Sequence, residues 1–173
     1  SPQQLQRIFM QANLDDAKRR AYAFLAPFFG PLTPAQRMEL HQQLQPRAED
    51  YQRVFVAEVV ASAQAAYAPL WSDGQPFLIG PENAVLSVHA AVAEDFREPN
   101  ERSEAFPGGY ARLADLLIPG VIWLGFRLTT PGESSGISFD GLVLLDERFV
   151  MFPKPFRFVK PAGTESVAAA WSQ

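Results

Sequence analysis

The chain contains no cysteine, so disulfide bridges, thiolate catalysis and zinc sites built on thiolates are excluded. Cysteine-free proteins occur in cytoplasm and periplasm alike, so the compartment stays open. The sequence has only two histidines, His41 and His89, and no H-E-x-x-H pair, which removes the commonest helical zinc signature. No apolar run is long enough to span a bilayer and no signal peptide is legible, so a soluble protein is expected. The chain opens on Ser1, which fits a processed or trimmed product. Neither glycine-rich phosphate loop, GxxxxGK[ST] or GxGxxG, is present. Concentrated basic charge is also missing. The net charge is −4 and the pI about 5.2, which argues against general nucleic-acid binding, since phosphate neutralisation needs clustered Lys and Arg.

What is present is an ordinary globular composition, with 47% hydrophobic and 20% charged residues. The 173 residues favour one domain spanning 1–173. A chain of this size buries roughly 70% of its unfolded surface, enough for a core without staples. Fourteen Phe and three Trp supply bulky filling.

The densest apolar stretch runs from Gly136 to Phe158. Ile137, Phe139, Gly141, Val143 and Leu145 alternate with Ser138, Asp140, Leu142 and Leu144, which predicts a strand with the first set on one face. Asp146-Glu147 reads as the turn and Arg148–Phe152 as the return strand. Pro153 and Pro155 must end the pairing, because proline cannot donate to a ladder. Upstream, Ser1-Pro2 predicts a helix start. Leu5, Ile8, Phe9 and Ala12 follow at helical spacing, then Leu14, Ala17, Ala21, Phe24 and Leu25, with a break expected near Asn13. Thr33-Pro34-Ala35-Gln36 reads as a capping box for a helix carrying Met38, Leu40, His41 and Leu44. A longer helix is expected from Arg47 to Tyr67, with Trp71–Gly74 as loop. Phe77–Ile79 reads as a short strand, Ala84–Val92 as a strand and 94–107 as a charged loop. Tyr110–Ile118 fits a short helix or an irregular strand. Val121–Thr129 is a strand with Ile122, Leu124, Phe126 and Leu128 on one face. The tail 161–173 is either frayed or a short helix anchored by Trp171.

Helices first (about 1–68) and strands afterwards (about 77–160) is the order of an α+β domain with an antiparallel meander. Helices are expected over one face of it. This order is similar to the cone-shaped α+β fold of the nuclear-transport-factor-2-like (cystatin-like) superfamily. There, helices lie against a curved sheet and often enclose a pocket. The resemblance is one of topology, and no functional residue is carried over from it.

Gly132-Glu-Ser-Ser-Gly136 matches the letters of the G-x-S-x-G elbow, but that motif needs a helix after it. A strand is expected here, so the segment reads as a hairpin loop. His41 reads as a surface or boundary helix residue. His89, on a strand face, is a base only if Asp95 or Asp140 approaches it, since catalytic groups must meet in space. Asp140 sits in an apolar strand and needs a partner if it faces inward. Arg127 is the expected one. Arg148, Lys154, Arg157 and Lys160 form a basic run interleaved with Phe149, Phe152, Phe156 and Phe158, read as a solvated face.

Two functional readings follow. The first is a non-catalytic binding protein, an inhibitor or immunity-type partner of another protein, with Glu98, Glu101 and Glu104 of the acidic loop as its contact surface. The second is a small-molecule-binding protein or enzyme with a pocket between helices and sheet, lined by Tyr67, Trp71, His89, Trp123 and Asp140. No cofactor or metal is expected under either, and the oligomeric state stays open.

Overall fold

The computed structural model describes residues 1–161. The expected Trp171 anchor and the rest of the tail lie outside the described residues. Helix α1 (Pro2–Leu25) begins with a capping box, in which the Ser1 side chain accepts from the Gln4 N–H and the Gln4 side chain answers. It runs unbroken past Asn13. Its second half buries Leu14, Ala17, Ala21 and Leu25, an i, i+3, i+4 stripe of small and branched side chains that lets the helix lie close to the sheet. Pro27 then tightens the chain into a 3-10 turn over Ala26–Phe29. Helix α2 (Pro34–Gln43) starts at the capping box formed by Thr33 and Gln36.

The long helix expected from Arg47 is two helices, α3 (Ala48–Val54) and α4 (Ala57–Ser72). Between them Phe55 is extended and bridges Leu117. The Val56 N–H donates to Leu116 O, and the Ile118 N–H donates to Val54 O, both at 2.9 Å. Tertiary backbone pairing here overrides the helical period of the sequence. Helix α4 also outlasts its expected end. Pro69 lies inside it, and Asp73 still donates to the Pro69 carbonyl. Trp71 is therefore on a helix and not in a loop.

The sheet is a four-stranded antiparallel meander in the order β1-β2-β3-β4, with β1 (Val85–Val92), β2 (Ile122–Thr129), β3 (Gly136–Leu145) and β4 (Arg148–Met151). The protein is thus α+β, as expected. Phe77–Ile79 does not pair as a strand. The charged loop contains two short helices, α5 (Glu94–Arg97) and α6 (Glu101–Glu104). The 110–118 segment begins in α7 (Gly109–Arg112). Past β4 the chain enters α8 (Pro155–Phe158).

Helices cover both faces of the sheet, not one. Leu124, Phe126, Leu142, Phe149 and Met151 pack with Leu14, Ala17, Ala21 and Leu25 of α1. Ala91, Trp123, Val143, Leu145 and Val150 pack on the other face with α3, α4 and the 96–114 segment. Ile122, Leu124, Phe126 and Leu128 share a face as the sequence predicts. The alternation in β3 does not hold. Register passes from Leu124–Leu142 to Gly125–Asp140, leaving Gly141 as an extra residue with φ +94. This bulge switches the faces. Ile137 and Phe139 join Leu142 and Leu144 on the α1 side, while Asp140 shares a face with Val143 and Leu145. Among the described residues no helix is long and apolar enough to cross a membrane.

Candidate functional site

Strand β4 pairs only with Leu142–Leu145 of β3. The first half of β3 therefore runs on past the end of β4: β2 pairs along one edge of it, and the other edge has no strand beside it among the described residues. The chain leaves Met151 through Pro153 and turns into α8. A notch of about 320 Å³ opens where β4 stops, lined by Leu70, Phe77, Ser138, Phe139, Asp140, Met151, Pro153, Lys154, Arg157 and Phe158. Both faces of the sheet contribute, because the notch passes its edge. Leu70, Phe77, Phe139, Met151 and Phe158 make the walls apolar. Asp140, Lys154 and Arg157 are its charged groups.

Asp140 is 6% exposed and its oxygens are engaged. Oδ1 accepts from the Tyr110 hydroxyl at 2.6 Å and from the Lys154 N–H at 3.1 Å. Oδ2 lies 3.8 Å from Lys154 Nζ. The expected partner, Arg127, is not used: across the bulge Asp140 stands opposite Gly125, and Arg127 stands opposite Ser138. Burial first, and then the Asp140 charge, pushes the Tyr110 hydroxyl well above its ordinary range, so it remains a neutral donor. Lys154 holds a left-handed backbone, φ 46 and ψ 58. This conformation is costly for a side chain with a Cβ, and the bond to Asp140 secures it.

Of the residues the sequence nominates for a pocket, Asp140 alone lines this notch, with Tyr67 and Trp71 packed behind its lining residues. Tyr67 is buried behind it, donating to Pro153 O at 2.9 Å and stacking on Phe158 with ring centroids 4.3 Å apart. Trp71 packs on Phe77 at 5.3 Å. His41 is not a surface residue. It is 3% exposed, wedged between Trp71 at 5.1 Å and Phe77 at 4.6 Å, and burial pushes its pKa down. Trp123 is fully buried in the core against Phe55 and Tyr110 and does not line the notch.

His89 lies across Gly125, where a Cβ would come within 3.1 Å of its Cδ2. Phe106 covers it edge-on at 4.7 Å. Its Nε2 is buried with no hydrogen-bond partner among the described residues. Burial pushes its pKa down, against a weaker upward pull from Asp140. The imidazole is half-buried, and among the described residues neither Asp95 nor Asp140 hydrogen-bonds to it. Asp95 does not face it as a catalytic partner. Its carboxylate accepts from the Val92 N–H, Asn100 Nδ2 and the Arg102 guanidinium, pinning the 94–104 segment. Burial raises the Asp95 pKa, but these donors outweigh it and hold the carboxyl below its ordinary range. Glu98, Glu101 and Glu104 are exposed on that pinned segment, away from the notch. Ser134 sits in an exposed turn with β3 following it, so the elbow reading has no helix to stand on.

The sequence passed over Phe77, Phe139, Lys154 and Arg157 as site residues. Its faint signal was the proline-bounded exit after Met151, where a sheet must stop. It also passed over a second surface. The first half of α1 stands off the body with Leu5 54%, Ile8 63% and Phe9 65% exposed. Arg102 reaches Gln11 on this half at 3.5 Å, so the acidic segment borders the apolar stripe. Among the described residues no three His, Asp or Glu side chains gather to hold a metal ion. No protein family matches this chain, and neither a curated protein nor a solved structure matches it.

Proposed function

We propose that this protein binds a small molecule in the notch at the end of β4, without a chemical step at that site. The observation that carries the reading is an apolar cavity with a few convergent polar groups, the usual make-up of a ligand site. Its volume of about 320 Å³ lies at the small end of such sites, which run from roughly 300 to 1,000 Å³. A fragment library screened by thermal shift tests it against Ser138→Trp, which places an indole in the notch from an exposed strand position. Fragments that raise the melting temperature of the parent protein but not of Ser138→Trp support the reading. A library with no such fragment rejects it.

A second reading, an inhibitor or immunity-type partner of another protein, is favoured by the exposed stripe of α1. Leu5, Ile8 and Phe9 fall at i, i+3 and i+4, the pattern of a helix that docks into an apolar groove. Glu101 and Glu104 are exposed on the segment whose Arg102 reaches α1 at Gln11, and they call for basic groups on the partner. The test is a pull-down with three baits: the parent protein, Leu5→Ser/Ile8→Ser/Phe9→Ser, and Glu98→Lys/Glu101→Lys/Glu104→Lys. One protein held stoichiometrically by the parent and by neither variant supports this reading. Equal recovery on all three baits sinks it.

A further inference from the structure

Resting on the notch reading, we infer the class of ligand: an amphipathic monocarboxylate, with its apolar body between Phe77, Phe139 and Met151 and its carboxylate at Arg157 and Lys154. Charge balance in this small apolar space selects the ligand. Three charged groups line the notch. The negative one, Asp140, already takes the Tyr110 hydroxyl, the Lys154 N–H and a long contact to Lys154 Nζ. Its Oδ1 takes both hydrogen bonds from within the protein, and Lys154 offsets its charge. Arg157 remains. It is exposed at the mouth, and its guanidinium makes no ion pair or hydrogen bond among the described residues. The residual charge facing an incoming ligand is therefore positive.

The chemistry of that cation narrows the ligand further. A guanidinium offers a planar fork that matches a carboxylate with two parallel hydrogen bonds. Lys154 Nζ, 3.8 Å from Asp140, is beyond strong hydrogen-bond distance and is free to turn part of its donor capacity outward. Lys154 is also held in a left-handed backbone by the buried Asp140. Strained non-glycine residues of this kind gather at ligand sites, where surrounding structure over-determines them. An amine would meet two like charges at the mouth. A neutral alcohol would fill the walls and leave the guanidinium without a partner.

Isothermal titration of the full chain with sodium octanoate, octan-1-ol and octylamine, at neutral pH and low salt, tests this. Octanoate is expected to bind at least about tenfold more tightly than octanol, the yield of one charge-assisted hydrogen bond at an exposed mouth. Octylamine is expected not to bind. Arg157→Gln changes an exposed position, and its fold is checked by circular dichroism. It should bring octanoate down to the affinity of octanol and leave octanol unchanged. Equal binding of octanoate and octanol by the parent protein overturns the carboxylate class and leaves the notch standing. Failure of all three probes at millimolar concentration overturns the class and counts against the notch as well. Octanoate binding that survives both Arg157→Gln and Lys154→Gln, yet is blocked by Ser138→Trp, overturns the assignment of the cation.

Discussion

The Phe152 N–H donates to the Gly141 carbonyl at 2.7 Å, and this bond lies where β3 carries its extra residue. On one side of it the strand pairs with β4. On the other it keeps β2 along its far edge and leaves its near edge open to the notch. The bulge also turns Asp140 toward Tyr110 and Lys154. A Cβ on Gly141 would come within 2.6 Å of the Phe152 carbonyl carbon and 2.7 Å of Pro153 Cα, at a φ of +94. Gly141→Ala should therefore cost at least about 2 kcal/mol, from strained backbone and displaced neighbours together. Urea unfolding measures it, with a lower midpoint at unchanged slope expected. An unaltered midpoint would mean the bulge is not required.

Asp50 and Arg148 tie α3 to β4. The guanidinium donates to both carboxylate oxygens, at 2.6 and 3.0 Å, and the Arg47 N–H adds a third bond at 2.7 Å. Asp50 is 1% exposed. Burial raises its pKa, yet Arg148 and the Arg47 N–H together hold it below the ordinary range. Arg148→Met leaves a buried carboxylate half satisfied and should cost about 2 kcal/mol, less than a fully buried pair because Arg148 keeps 31% of its side chain exposed. Asp50→Asn/Arg148→Met should recover part of that loss. A double variant as unstable as the sum of the single ones would show that the two side chains act independently.

The Tyr110 hydroxyl is the shortest contact Asp140 makes. Tyr110→Phe removes a donor and leaves the carboxylate short of one partner in a buried place, at a cost of about 1–3 kcal/mol. Tyr67→Phe removes a bond to a neutral carbonyl instead, and about 1 kcal/mol is expected. Chemical denaturation of the two variants side by side checks the order. Tyr67→Phe proving the more damaging would contradict it.

Stability should fall with acid in two windows. Burial lowers the pKa of His41 and of His89, so the unfolded chain takes up protons before the folded one does. The stability tied to these neutral imidazoles is complete above about pH 6.5 and is lost as pH falls from there through their folded values. Asp50 and Asp95 are held below the ordinary carboxylate range. Their contribution is intact above about pH 4 and disappears as pH drops through the folded values. Urea midpoints at pH 8, 6, 5 and 3 measure both windows. His41→Phe with His89→Phe should flatten the first and leave the second. Equal midpoints at pH 8 and pH 5 for the parent protein would exclude the first.

Leu5→Ser, Ile8→Ser and Phe9→Ser together should move stability by no more than about 0.5 kcal/mol, the usual range for surface sites, because the side chains touch little of the body. A large loss would place this half of α1 in a packed environment.

Much of the architecture was legible in the sequence. The period-2 run of Ile122, Leu124, Phe126 and Leu128 fixed a strand and its face. The capping residues Ser1 and Thr33 fixed two helix starts. These are local effects: alternation follows from the pleat, and caps answer helix N–H groups that have no other partner. Legibility failed wherever a distant segment supplied the decisive contact. Leu116 and Ile118 broke the helix at Phe55 by taking its neighbours' backbone bonds. The same reason hides the site. Asp140 announced itself as an acid in an apolar strand, but its partner lay thirty residues upstream in Tyr110 rather than on the adjacent strand at Arg127.

By itself, the sequence determined the α+β order, the antiparallel meander, the absence of thiol chemistry and the presence of a buried acid that needed a partner. Only the tertiary structure decided that helices cover both faces of the sheet, that one extra residue at Gly141 reverses the faces of β3, and that Phe77, Phe139, Lys154 and Arg157 converge around a notch. Side-chain period and capping act over a few residues and are written along the chain. Bulges, ends of pairing and cavities arise from which distant backbone groups and side chains compete for the same space.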